Sequence, residues 1–89
     1  MDHPLLPIWR VNSGTYLGTV IRELRRERSW TQDELADRAN VARMTISRLE
    51  RGEDVSVITT LRCISELGYI CVIAPKASKV EAKEPWDGH

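Results

Sequence analysis

"TQDELADRANVARMTISRLERG", residues 31–52, contains two short apolar-periodic segments separated by "RANV". Thr31 followed by Glu34 has the spacing of a capping box, in which each side chain satisfies an orphan backbone amide of the first helical turn. Trp30 lies just before that cap and Leu35 at the fourth helical position, the spacing of a hydrophobic staple. A helix is therefore predicted over residues 32–39. After glycine, asparagine is the residue best able to adopt the left-handed conformation that ends a helix, so Asn40 is the expected stop. Val41 then returns the chain to the core, another helix follows over residues 42–51, and Gly52 ends it. Two short helices joined by so few residues form a helix-turn-helix.

The second of these helices has two unlike sides. At about 100° per residue, Ala42, Thr45, Ile46 and Leu49 gather on one side and face a core. Arg43, Met44, Ser47, Arg48 and Arg51 fall on the other, within an arc of roughly 140°. Three of those five are arginines and none is acidic. Arginine can fork onto guanine O6 and N7 in the major groove or bind a phosphate. Serine can reach either, and methionine can touch a thymine methyl. On a solitary helix the same arc would serve equally well as a solvated face. Behind a capped helix and a tight turn, it suits a helix lying in the major groove of DNA.

Upstream, Leu17, Val20, Ile21 and Leu24 recur at i, i+3, i+4 and i+7, which predicts a helix within residues 14–28. Downstream, Ser56 is a candidate cap for another helix, Ile58, Leu61, Ile64 and Leu67 are its expected apolar face, and Gly68 is its stop. "YICVIA", residues 69–74, is β-branched and aromatic and closed by Pro75, so it reads as a strand. Residues 1–13, with Pro4 and Pro7, read as an N-terminal arm; Trp9 within it is expected to pack back on the helices. Residues 75–89 are polar and mixed in charge and read as a flexible tail. The expected domain is thus residues 14–74.

The bulk properties narrow the function classes. Eighty-nine residues make one small domain, and 42% hydrophobic with 29% charged residues is an ordinary globular balance. The net charge is zero, so any nucleic-acid binding must rest on a local patch. No apolar run is long enough to span a membrane, and the N-terminus lacks a signal-peptide pattern; the expected location is cytoplasmic. Cys63 and Cys71 form no CxxC and read as two buried small apolar side chains, with no metal or disulfide role. His3 and His89 sit near the chain ends, and no nucleophile has an evident base. The expectation is no enzyme, no cofactor and no small-molecule substrate.

With these residues in place, the stretch resembles the Xre/Cro-type helix-turn-helix family. The resemblance rests on Thr31-Gln32, Leu35-Ala36, the turn at Asn40-Val41, Thr45-Ile46-Ser47, Leu49-Glu50 and Gly52, and covers residues 16–67. It implies a mainly α domain of four to five helices, dimeric on double-stranded operator DNA. It implies that Gln32 meets the DNA backbone or an outer base, that Arg43, Met44, Ser47 and Arg48 face base edges, and that Thr31, Thr45 and Arg51 contact phosphates. It also implies a partly buried ion pair between Arg25 and Glu50. This sequence departs from the family at two glycine positions, which Ser29 and Asn40 occupy here; the departures bear on the helix ends.

A strand at residues 69–74 needs a partner, because both its edges carry unpaired backbone groups and both its faces are apolar. Pairing with a second copy across a two-fold axis, through Tyr69, Ile70, Cys71, Val72 and Ile73, is the favoured expectation; pairing with residues 8–11 is the alternative. A helix-turn-helix followed by "LGYICVIAPK" and a polar tail also resembles a narrower group, the HipB-like antitoxins. That resemblance implies a repressor of its own operon that holds a HipA-type kinase toxin. Trp86, in a polar tail, is either an anchor for a partner protein or an accidental exposed aromatic. The expected function is therefore a sequence-specific transcriptional regulator, an antitoxin and autorepressor. The alternatives are a stand-alone Xre-type repressor and an interaction module that has lost DNA binding.

Overall fold

The computed structural model describes residues 8–77. Expectations for the rest of the arm and tail, Trp86 included, fall outside the described residues. Among the described residues four helices follow one another: α1 (Gly14–Glu27), α2 (Gln32–Ala39), α3 (Arg43–Glu50) and α4 (Val57–Glu66). Three begin on a side-chain cap. Ser13 Oγ accepts the Tyr16 amide at 3.1 Å, and Ser56 Oγ accepts the Thr59 amide at 3.1 Å. At α2 the capping box is complete: the Glu34 amide donates to Thr31 Oγ1 at 3.1 Å, and the Thr31 amide donates to Glu34 Oε1 at 2.9 Å. Such a cap typically contributes about 1 kcal/mol. α3 starts at Ala42 with no side-chain cap, so its first turn leans on the preceding turn and on packing.

All four helices stop in the same way. Ser29, Asn40, Gly52 and Gly68 have φ of 58°, 57°, 80° and 86°. At each, the amide of that residue bonds a carbonyl three residues back, and the next amide bonds one five residues back. This is the Schellman motif, which satisfies the orphan carbonyls at a helix end. Ser29 and Asn40 are the two positions where the sequence departs from the family's glycines, and both hold the left-handed conformation. For serine, which has a Cβ, that costs about 1 kcal/mol. The residue after each stop usually makes an apolar contact. Trp30, Val41 and Tyr69 do so, packing against the core, whereas Glu53 is exposed.

Ile21, Leu35, Ile46, Cys63 and Leu67 are fully buried, with Val20, Leu24, Ala36, Ala39 and Leu49 around them. α2 packs on both α3 and α4, and α1 packs on α3. The α1–α3 approach is close because Gly18 has no side chain: a Cβ there would lie 2.5 Å from the Glu50 carbonyl oxygen and 2.6 Å from that of Leu49.

Three expectations need correction. Residues 69–74 form no strand, and no strand occurs among the described residues. Tyr69 is drawn inward as the residue after the Gly68 stop, where its ring meets Trp9 edge-on at 5.5 Å. Beyond it Ile70, Val72 and Ile73 are largely exposed, with no ladder partner for this segment among the described residues. Trp9 of the arm therefore does pack on the helical domain, but residues 8–11 do not pair with the segment as a sheet. Second, Ile58 and Leu61 of α4 are exposed, while Cys63 and Leu67 face the core and Ile64 is half-buried. A row of every third residue turns back about 60° per step, so its first and last members lie on opposite sides of the helix. Third, only Cys63 is buried; Cys71 is exposed, and both are free thiols. Burial pushes the Cys63 thiol above its ordinary value, which suits an inert core residue.

Candidate nucleic-acid interface

The tight turn at Asn40 and Val41 projects α3 from the body so that one side is buried and the other meets solvent. Ile46 and Leu49 face the core and Thr45 is half-buried beside them. Arg43, Met44, Arg48 and Arg51 are exposed, and Ser47 is half-buried among them. Ala42, expected on the core side, is instead exposed, because it is the N-cap residue and lies outside the helix. From Arg43 onward the helical step separates the two sides as the amino-acid pattern requires.

The face is braced from beneath by a buried ion pair. Arg25 of α1 donates from Nε to Glu50 Oε2 at 2.6 Å and from Nη2 to Glu50 Oε1 at 3.0 Å. The side chains of this pair are only 10% and 4% exposed. Arg25 Nη1 also donates to the Trp30 carbonyl oxygen at 2.8 Å. Gln32, the first residue of α2, donates from Nε2 to Glu50 Oε1 at 3.1 Å. The Glu50 carboxylate therefore joins α1, the start of α2 and the end of α3, and its partner Arg25 ties in the α1–α2 turn. Hydrogen bonding to Glu50 raises the Arg25 guanidinium above its ordinary value, against the opposing effect of burial. Gln32 is thereby held at the N-terminus of α2, and the hydroxyl of Thr31 is taken up by its cap. Trp30 lies beside two more arginines, with the Arg38 guanidinium 4.1 Å and that of Arg28 5.6 Å from its ring centroid.

The arginine arc is not free of acids, which corrects the reading of α3 in isolation. Glu53 pairs with two of its members, Arg51 Nε at 2.6 Å and Arg48 Nε at 3.4 Å. Asp33 of α2 lies 3.8 Å from Arg43 Nε. Arg51 also donates to Ser47 Oγ, and Arg48 Nη2 to the Asp54 carbonyl oxygen at 2.9 Å. A hydrogen bond from Arg51 holds the exposed Glu53 carboxyl below the usual carboxylate range. Glu53 is the site residue that helix periodicity missed, because it lies beyond the helix. The signal was Gly52: a left-handed stop turns the next residue back over the last helical turn. Among the described residues there is no metal-binding group of histidines, cysteines or carboxylates, and no helix is long and apolar enough to cross a membrane.

Comparison with known proteins places this geometry. Residues 21–69 match the family model described as "Helix-turn-helix". The chain belongs to this family. The family is one of helix-turn-helix DNA-binding transcriptional regulators and is typically non-enzymatic. Among its relatives, antitoxin HipB of Escherichia coli K12 is 30% identical over 56 residues, spanning 63% of this chain and 64% of HipB, less than two thirds of that protein. An uncharacterised HTH-type transcriptional regulator of Methanothermobacter thermautotrophicus is 47% identical over 51 residues, 56% of this chain and 74% of the relative. The fold of this helix-turn-helix chain is that of a chain in a HipA–HipB–O2–O3 complex, with TM-score 0.71, 23% identity, and 78% and 99% of the two chains covered. It is also similar to the restriction-modification controller protein C.AhdI of Aeromonas hydrophila, with TM-score 0.59 and 28% identity over 63% of this chain and 86% of that one.

Proposed function

We propose that this chain is a HipB-like antitoxin and autorepressor. It acts as a homodimer that sets α3 of each subunit into the major groove of its own operator. The observation that carries the reading is the exposed face of α3, on a helix-turn-helix whose relatives include a HipB antitoxin. In this reading Arg43, Met44, Ser47 and Arg48 meet base edges, Thr31, Thr45 and Arg51 lie along the phosphate backbone, and Gln32 meets the backbone or an outer base. A two-fold axis sets the two recognition helices about one DNA turn, roughly 34 Å, apart. The exposed Ile70, Val72 and Ile73 support dimerisation, since a second copy would supply the ladder that residues 69–74 lack. The partner would be a HipA-type kinase, held by surfaces outside α3 or by the tail around Trp86.

A stand-alone repressor is the second reading, favoured by the regulator of Methanothermobacter thermautotrophicus, which matches at the higher identity. One experiment separates the two. An N-terminally tagged copy is purified from the native host, its co-purifying proteins are identified, and the eluate is tested for shifting its own promoter DNA. A kinase with a salt-sensitive shift supports the antitoxin. A specific shift with no partner leaves the stand-alone repressor. Partners with no shift would sink both in favour of an interaction module.

Within the DNA-binding reading, Arg43→Ala should weaken binding to the preferred site by about 1–3 kcal/mol. The loss on mixed-sequence DNA should be much smaller, as measured by fluorescence anisotropy. An equal loss on both would make Arg43 a phosphate contact and nothing more.

A further inference from the structure

Glu53 stands out by its place in the fold. It follows the left-handed Gly52, and its own amide donates to the Arg48 carbonyl oxygen at 3.0 Å. Backbone geometry alone therefore sets it over the last turn of α3. At the three equivalent positions, Trp30, Val41 and Tyr69 pack against the core; only Glu53 does not. Its side chain lies instead across the outer face, with one carboxylate oxygen toward Arg51 Nε and the other toward Arg48 Nε. A carboxylate that accepts from one guanidinium and pairs at 3.4 Å with a second occupies them much as a phosphate group would.

We propose that Glu53 is a built-in phosphate surrogate that competes with DNA for Arg48 and Arg51. Free protein keeps these two arginines paired. Binding a duplex exchanges the Glu53 carboxylate for a backbone phosphate at Arg51 and for a base edge or phosphate at Arg48, so every association, whatever the sequence, must first break that contact. The device lowers affinity uniformly, for any sequence, and so deepens the DNA-binding reading on which it rests. It also keeps two exposed arginines of a chain with zero net charge from holding non-specific polyanions. Exposed ion pairs of this kind are individually weak, so the effect is a tuning of affinity.

The test compares Glu53→Gln with Asp54→Asn on a labelled mixed-sequence duplex across a salt series. Asp54 is adjacent and exposed, and its carboxylate makes no ion pair with any described residue. It therefore removes the same charge without freeing an arginine. Glu53→Gln should bind about fivefold more tightly and steepen the salt dependence by up to about one released ion. Asp54→Asn should stay within about twofold of the parent. An equal gain in Asp54→Asn would overturn the proposal in favour of bulk charge. Weaker binding in Glu53→Gln would also overturn it, making Glu53 a residue that positions the arginines, and so would unchanged binding. If the parent and both variants bind no duplex, the DNA-binding reading itself fails and takes the proposal with it.

Discussion

Glu50→Ala should cost about 3–5 kcal/mol of folding stability, a large part of what a domain of this size possesses. The carboxylate accepts two bonds from Arg25 and one from Gln32, in a site almost closed to water. Truncation leaves a guanidinium that cannot deprotonate buried against a single remaining carbonyl, that of Trp30. Nearby water can reach Gln32, which is half-buried, but Arg25 is far less accessible. The intact pair itself contributes much less, because its attraction is offset by the desolvation of both charges. Replacing both partners, Arg25→Met with Glu50→Met, should therefore recover a large part of the loss. Thermal or urea denaturation of the two single variants and the double variant reads this directly. A cost for Glu50→Ala below about 1 kcal/mol would mean that the pair behaves like an exposed one.

The second large effect runs against helix propensity. Glycine in the interior of a helix is less favourable than alanine by about 1 kcal/mol, so on an exposed helix Gly18→Ala would stabilise. Here the new methyl would sit 2.5 Å from the Glu50 carbonyl oxygen and 2.8 Å from the Glu50 carbonyl carbon. These are backbone atoms, which cannot rotate away, so α1 must shift from α3. Forcing extra volume into such a contact costs about 1–3 kcal/mol and sometimes more. With Glu50 displaced, the geometry of its bonds to Arg25 suffers too. The net expectation is a loss of about 2 kcal/mol or more. The urea midpoint should fall with little change in slope. A stabilised variant would mean that the helices separate easily and that their close approach carries no energy.

Helix boundaries were largely legible in the amino-acid sequence, because they are decided within a few residues. The capping box of Thr31 and Glu34, the caps at Ser56, and the stops at Asn40, Gly52 and Gly68 all involve atoms close in the chain. The same holds for the division of α3 into a buried and an exposed side, which follows from its period. Ser29 as a left-handed stop was visible only as a departure from a glycine, since serine is not a usual choice for that conformation.

What lay beyond the reach of the sequence depends on atoms distant along the chain or on surfaces with no local preference. The β-branched run at residues 69–74 has strand-forming residues, but a strand is a relation between two segments, and no second segment pairs with it among the described residues. The register of α4 was decided by which of its sides α2 covers, so Ile58 and Leu61 remain in solvent while Cys63 and Leu67 are buried. The closeness of α1 to α3 at Gly18 exists only once both helices are packed. The charge of the α3 face was likewise settled in three dimensions. A wheel drawn on α3 shows three arginines, whereas the cap beyond Gly52 brings Glu53 onto two of them and α2 sets Asp33 near the other. Sequence determined the helices and their sides because hydrogen bonds and periodicity act locally; tertiary structure decided which sides meet and which charges neutralise one another, because packing and Coulomb forces act through space.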